Sequence, residues 1–451
     1  MLDQFASNTR AFGEPDLQER LRHCKVNIIG STPAALYALF NCIGLGVQHI
    51  NWFTPPQTEK GGIYSNSLDD HIPDAINHFS VYAHKLLPAC NLEIYPCSLH
   101  EGFMQPGSFC IEASLDHKSI GRSIHASWGS LSRLAVIGSS PVGPYAYVRT
   151  DTPGSSSAYR RLLHQVQDRI GLAETGCPES MLVQLLGAIR SANDLRRNCF
   201  LLEERGEHEY SADVTNNLSS LCHRFAPNAR SEIPLILGAG GVGTFCMLSL
   251  CFFGCRRFRV TDFDTVERHN LNRQILYAGS EGAYKSQVAA QRLQEWFGVE
   301  ASADTLRLDE NTRPVFTKEV QGRPIYCCVD NFAARRIADS VAVRTNTRLI
   351  EGGCDAFGGI VTQYMPGHSH SVSCQRRLYR RHDRPPEDET SCARQANPSV
   401  IMPNAAVGTY MAYLDTRPFA LRKDTAFYFD SFCQPHFYAD PITINKCGCL
   451  T

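Results

Sequence analysis

The chain has 451 residues, a formal net charge of -1 and 43% hydrophobic residues. That length suits two or three domains with ample core, and so small a net charge gives no long-range field to gather nucleic acid or an anionic membrane surface. No apolar run reaches transmembrane length, and Met1 to Phe5 lack the basic-then-apolar pattern of a signal peptide, so a cytoplasmic protein is expected. The 19 cysteines read mostly as small buried hydrophobes; Cys246, Cys251, Cys327 and Cys328 all sit inside apolar runs. An odd number of cysteines in a long chain without a leader argues against a secreted disulfide scaffold.

In chain order, Lys25 to Gly30 reads as a strand, 33–44 as a helix and Gly44 to Thr54 as a turn running into a second strand. A further strand follows near Leu92 to Tyr95. The charged stretch Glu204 to Glu209 reads as a linker, dividing residues 1–205 from 206–451. Beyond it the plan returns. Ile233 to Gly238 is a strand, 242–253 a helix, Gly254 to Asp262 a turn and strand, with a further strand near Ile325 to Cys328. The sequence therefore holds one α/β plan twice, or two unrelated α/β domains side by side. Pro366 to Pro398, with the run Arg380-Arg381-His382-Asp383-Arg384-Pro385-Pro386-Glu387-Asp388-Glu389, reads as a solvated crossover loop.

The two copies differ in chemistry. In the second, Gly238, Gly240, Gly241 and Gly243 follow an apolar strand and open a helix. That context presents backbone N–H groups and a helix N-terminus to phosphate. In the first, the turn has become Gly30-Ser31-Thr32-Pro33-Ala34-Ala35. Pro33 removes a donor and the added Cβ atoms obstruct a phosphate. Where the second copy ends a strand in Asp262, the first has Thr54. Residues 1–205 thus read as a half that keeps the fold and has lost the nucleotide.

Asp262 stands where ribose hydroxyls fall, or else caps the next helix; Asp264 shares either role. Asn270, Arg273, Gln274 and Lys285 follow in order. A guanidinium can clamp phosphate oxygens and an ammonium can neutralise a leaving pyrophosphate; taken singly, each cation is as well read as a surface ion pair. A dehydrogenase has no need of these added cations, which look like machinery for the triphosphate of ATP. Asp330 closes another apolar strand, as a magnesium ligand or an N-cap.

This ordered set resembles the ThiF/MoeB/HesA-like adenylating superfamily, which includes the ubiquitin-activating enzymes, those of bacterial ubiquitin-like conjugation systems among them. The match rests on the turn 238–243, Asp262-Phe263-Asp264-Thr265-Val266, Asn270-Leu271-Asn272-Arg273-Gln274, Lys285, Val329-Asp330-Asn331 with Arg335, Glu351-Gly352-Gly353 and Gly358-Gly359. A weaker likeness covers residues 9–100. The resemblance implies two Rossmann-like, doubly wound, mostly parallel α/β domains packed as an intramolecular pseudo-dimer, one inactive and one active. It implies ATP-dependent adenylation of the C-terminal carboxylate of a ubiquitin-like protein, with Asp262 on the ribose, Arg273 and Lys285 on the phosphates and Asp330 on Mg²⁺. An arginine near the start of the partner domain often reaches the ATP site in this family; Ser7 stands at that place, with Arg10 one turn later.

Cys392, in Thr390-Ser391-Cys392-Ala393-Arg394, resembles the family's loop nucleophile, from which the acyl group would pass to a conjugating enzyme; otherwise it is an idle thiol. Other relatives carry zinc on paired cysteines. Here Cys374, Cys447 and Cys449, with His368 and His370 nearby, match that pattern poorly, leaving either a zinc site or a metal-free remnant. Two rival functions remain: adenylation of a sulfur-carrier protein, which the duplicated plan disfavours, or of a ribosomal peptide, with the first half as a peptide clamp; and a non-catalytic binding scaffold.

Overall fold

The computed structural model describes residues 4–13, 15–54, 81–128, 132–140, 143–149, 156–172, 178–200, 233–320, 322–356, 358–375, 400–418, 420–421, 423–429 and 435–438. The chain divides into two compact units, residues 3–222 and 223–451. This division, like the one expected near residue 205, falls outside the described residues.

The first unit is built on six strands: β1 (Lys25–Ile29), β2 (His49–Phe53), β3 (Asn91–Tyr95), β4 (Phe109–Glu112), β5 (Arg133–Ser140) and β6 (Gly143–Arg149). Their order is β3-β2-β1-β4-β5-β6. All neighbours run parallel except β6, which returns antiparallel to β5. Its helices are α1 (Ala6–Phe12), α2 (Pro15–His23), α3 (Pro33–Leu45), α4 (His117–Ser127), α5 (Ser156–Arg169) and α6 (Pro178–Phe200). Every residue of α3 is buried, as an apolar stretch with no polar face demands. Its last carbonyls are served from outside: Asn8 donates to Gly44 at 2.9 Å and Gln18 to Leu45 at 2.8 Å.

The second unit has eight strands: β7 (Leu235–Leu237), β8 (Arg257–Thr261), β9 (Glu300–Asp304), β10 (Ile325–Cys327), β11 (Leu349–Cys354), β12 (Gly359–Tyr364), β13 (Ala426–Phe429) and β14 (Pro435–Tyr438). The order runs β9-β8-β7-β10-β11-β12-β13-β14, parallel as far as β11 and antiparallel beyond. Its helices are α7 (Gly241–Phe252), α8 (Lys285–Phe297), α9 (Arg313–Val320), α10 (Phe332–Arg344), α11 (Val372–Gln375) and α12 (Ile401–Thr416). Helices α7 and α12 pack backbone to backbone: a Cβ on Gly408 would lie 2.5 Å from the Cys246 nitrogen. The expected thiols Cys246, Cys251, Cys327 and Cys328 are buried and free.

Numbered within each unit, both sheets share the order 3-2-1-4-5-6, with strand 6 the first antiparallel one. The duplicated plan is therefore one of topology as well as of pattern. The correspondence differs from the sequence reading in one place. The counterpart of β3 is β9, whereas the strand at Ile325 matches β4. Strand β9 reads Glu-Ala-Ser-Ala-Asp and lies at the sheet edge, where no residue is fully buried. An edge strand with one partner needs no apolar run, so it gave no signal. Among the described residues no helix is long and apolar enough to cross a membrane.

Candidate functional site

The central strand β7 delivers the chain into the Gly-rich turn. Gly238 takes φ +86°, and a Cβ there would lie 3.0 Å from the backbone of Cys328 and Val329. Gly243 is more constrained, since its Cβ would lie 2.0 Å from the Gly238 carbonyl oxygen. These two glycines let helix, strand and turn close on one another. Gly240 is different. It is the N-cap of α7, with φ −73° and ψ −154°, and gives no side-chain cap. A Cβ on it would meet nothing nearer than Gln274 Nε2 at 3.9 Å. The turn therefore leaves the N-terminus of a buried, twelve-residue helix uncapped, an arrangement that calls for an external anion.

Asp262 follows β8 and sits below the turn, 8% exposed. It accepts hydrogen bonds from the N–H of Ala239 at 2.5 Å and of Asp264 at 2.8 Å. Burial pushes its carboxyl above the ordinary range; the Lys285 charge and these two N–H groups pull it back. The Tyr277 hydroxyl donates to the Ala239 carbonyl, so both backbone polar groups of that residue are engaged. Sequence reasoning missed Tyr277, because an aromatic in an apolar stretch reads as core.

Segments 262–266 and 282–285 pair through a bridge between Thr265 and Tyr284 and the bond from Lys285 N–H to the Asp264 carbonyl at 2.9 Å. That pairing brings the buried Lys285 ammonium to 2.9 Å from the half-exposed Asp264 carboxylate. The Asn270 carbonyl accepts the N–H groups of Arg273 and Gln274. Arg273 donates to the buried Asn272 at 2.9 Å, and its stem lies 3.4 Å from the Cβ position of Gly241. Asn272 thus acts as a positioning residue for Arg273. Gln274 is 4% exposed, its amide faces Gly240, and its Oε1 has no hydrogen-bond partner.

Asp330 is exposed just past the end of β10. It does not cap α10, because Asn331 does so, accepting from the Ala334 N–H at 2.8 Å. The loop carrying Asp330 is held by Arg335. Its guanidinium donates to the Val329 carbonyl at 2.9 Å, to Glu351 at 2.9 Å and to the Gly352 carbonyl at 3.3 Å. The sequence pattern around Arg335 and Glu351 thus resolves into a buried ion pair joining α10 to β11. Arg335→Met is expected to destabilise the unit by about 3–5 kcal/mol, since it strands a buried carboxylate, whereas Arg335→Met with Glu351→Leu recovers most of that loss; urea unfolding of both variants measures the difference.

The first unit shows the same places filled differently. Strand registers set Ile29 against Phe53 and Glu112, and Leu237 against Thr261 and Cys327. Counting outward, Thr32 answers to Gly240, Thr54 to Asp262 and Leu115 to Asp330. Thr32 caps its own helix, accepting from the Ala35 N–H at 3.2 Å and donating to the Ala113 carbonyl at 2.7 Å. Its side chain occupies the helix end that Gly240 leaves bare. Arg10 is exposed and turns back on its own helix, donating to the Ala6 carbonyl.

Cys392, Cys447 and Cys449 lie outside the described residues. Cys374 is half-buried in α11. His370 is engaged by Asp424, its Nδ1 lying 2.8 Å from the carboxylate. No cluster of three or more histidine, cysteine or acidic side chains placed to hold a metal occurs among the described residues. Magnesium makes a smaller demand, since it is commonly held by one or two carboxylates together with substrate phosphates. The exposed Asp330 fits that demand, and the bare helix end, with the Gln274 Nε2–H donor facing it, fits a polyphosphate ligand.

Fold and site together define a doubly wound, Rossmann-like α/β unit, with a crevice at the strand ends around β7. Residues 215–427 match the ThiF family; the second unit carries a ThiF-family domain. The chain is 29% identical over 160 residues to the NEDD8-activating enzyme E1 catalytic subunit of Caenorhabditis elegans, covering 32% of this chain and 36% of that one. It is 27% identical over 152 residues to a ubiquitin-activating enzyme E1-like protein of Saccharomyces cerevisiae, covering 33% and 23%. It is 26% identical over 145 residues to the SUMO-activating enzyme subunit 2 of Dictyostelium discoideum, covering 31% and 22%. These matches span about a third or less of each relative's length.

Proposed function

We propose that the second unit adenylates the C-terminal carboxylate of a ubiquitin-like protein, using ATP as substrate. The observation that carries this reading is the uncapped N-terminus of α7 with Asp262, Arg273 and Lys285 gathered around it. A dehydrogenase has no need of these added cations at that place. In the reaction a carboxylate oxygen attacks the α-phosphorus, and the bond to pyrophosphate breaks. Asp262 holds the ribose, and the N–H groups of α7 with Arg273 take up phosphate charge. Lys285, released from Asp264 by the incoming triphosphate, neutralises the departing pyrophosphate. Asp330 would hold Mg²⁺, which when bound offsets further phosphate charge.

The relatives' names, which join activation to ubiquitin, NEDD8 and SUMO, support a ubiquitin-like substrate. In this reading the Cys392 thiolate then attacks the acyl carbon, AMP leaves, and the resulting thioester is handed to a conjugating enzyme. The first unit binds no nucleotide at the place corresponding to Gly240, since Thr32 fills it.

Pyrophosphate exchange into ATP, measured with a panel of small proteins ending in glycine, tests the first step. One panel member should support exchange and form a reductant-sensitive adduct with the enzyme. Cys392→Ala should keep the exchange and lose the adduct. An adduct that survives this substitution would refute the nucleophile assignment, and exchange with no panel member would refute the adenylation reading.

A further inference from the structure

The described part of the first unit carries a cleft of about 880 Å³ that the reading above does not use. It lies between the loop at Leu99–Gly102, helix α4 and helix α5. Its floor is apolar, made by Leu99, Ala126, Tyr159 and Leu163; Leu99 and Ala126 are each 4% exposed. Its rim is basic. Lys118, Arg122 and His125 stand at positions i, i+4 and i+7 of α4, so they share one helix face. His100 and His117 complete the rim, and Glu101 is the single acid.

Glu101 is already engaged, 3.0 Å from His125. Arg122 is steadied by a neutral partner, donating to Ser98 Oγ at 2.9 Å. Among the described residues neither Lys118 nor Arg122 has a carboxylate in ion-pair range. Two uncompensated cations therefore border an apolar floor, in a chain whose Lys and Arg number 44 against 45 Asp and Glu.

Gly121 supplies an independent observation. A glycine inside a helix costs stability and is usually kept for close packing. No close packing requires it here, for a Cβ would lie 4.0 Å from its nearest neighbour, Leu163 Cδ1. The missing side chain leaves the floor open between Lys118 and Arg122.

We propose that this cleft binds an acidic peptide segment of a partner protein. The apolar floor would take an aliphatic side chain, and Lys118 and Arg122 would take carboxylates on either side of it. A peptide suits it better than a small anion because the rim residues Lys118, Arg122 and His125 are exposed. Small-molecule sites enclose most of their ligand.

The test uses the full chain and a fluorescein-labelled decapeptide in which glutamates flank leucines, read by fluorescence anisotropy. Binding should saturate and weaken with added salt. A matched peptide with glutamine for glutamate should bind at least about ten-fold more weakly, as should the acidic peptide to Lys118→Glu with Arg122→Glu. Gly121→Trp, which fills the floor, should act alike, with circular dichroism showing each variant folded. Asp262→Asn should bind the peptide as the unaltered chain does, which separates this cleft from the nucleotide site. Binding indifferent to all cleft variants would overturn the proposal. Displacement by inorganic phosphate at equal concentration would reassign the cleft to a small anion, and tighter binding of a single-stranded RNA decamer would reassign it to nucleic acid; either result also overturns it.

Discussion

Gly240→Thr is expected to leave the second unit folded and to weaken ATP binding by about 100-fold or more, about 2.7 kcal/mol. The backbone at Gly240 has negative φ, so a side chain there meets none of the left-handed penalty that favours glycine. A Cβ there has 3.9 Å of clearance. The first unit shows what the new hydroxyl would do, because Thr32 at the matching position accepts the Ala35 N–H. Transplanted, it would cap α7 from within and stand in the path of the phosphates. A threonine cap is worth a few tenths of a kcal/mol over glycine, so the melting temperature should hold or rise slightly. Gly243→Ala provides the contrast. Its Cβ would fall 2.0 Å from the Gly238 carbonyl oxygen, and relief requires the helix to leave the strand. We expect that variant to lose about 3 kcal/mol or more and to fold poorly. Calorimetric ATP titration beside thermal melts separates the two effects. A Gly240→Thr protein that binds ATP normally would show that the bare helix end is not the phosphate site.

Lys285→Ala is expected to lower the rate of pyrophosphate exchange by about 10²–10³-fold, the usual scale for removing a group aimed at developing charge. Lys285 is the buried member of its pair with Asp264, which is half exposed. Solvent screening at Asp264 keeps the stability contribution of the pair small, so the loss should be kinetic rather than structural. A second signature follows from Asp262. Burial raises its carboxyl, and Lys285 is the largest of the effects pulling it back. Without the ammonium, that raised value climbs further. A carboxyl raised above its unfolded value favours the fold while protonated, and that contribution is lost as pH rises through the folded value. Stability of the variant should therefore fall more steeply than that of the parent as pH rises from the ordinary carboxylate range upward. Equal slopes in urea unfolding across that range would refute the coupling between Lys285 and Asp262.

Much of the second unit was legible in the sequence because its signals are local. An apolar strand, four glycines and an acid at the next strand end constrain one another within thirty residues. The order of Asn270, Arg273, Gln274 and Lys285 marked the site, yet gave no indication of what each touches. Asp264 could be a ribose ligand or a cap in the sequence; the fold sets it beside Lys285. Asp330 could be an N-cap, and the fold gives that role to Asn331. Strand β9 was missed because an exposed edge strand needs no apolar pattern, and Tyr277 because a buried hydroxyl leaves no mark on periodicity.

The sequence by itself determined that the chain holds two α/β stretches, and that only the second keeps a glycine turn and cations suited to a polyphosphate. Those properties follow from steric and charge requirements that individual residues carry with them. Only the tertiary structure decided that Thr32 and Gly240 occupy the same place, that Arg335 and Glu351 form a buried pair, and that Gly121 opens a basic cleft. Each of these depends on strand register and helix packing, which bring together residues from distant parts of the chain.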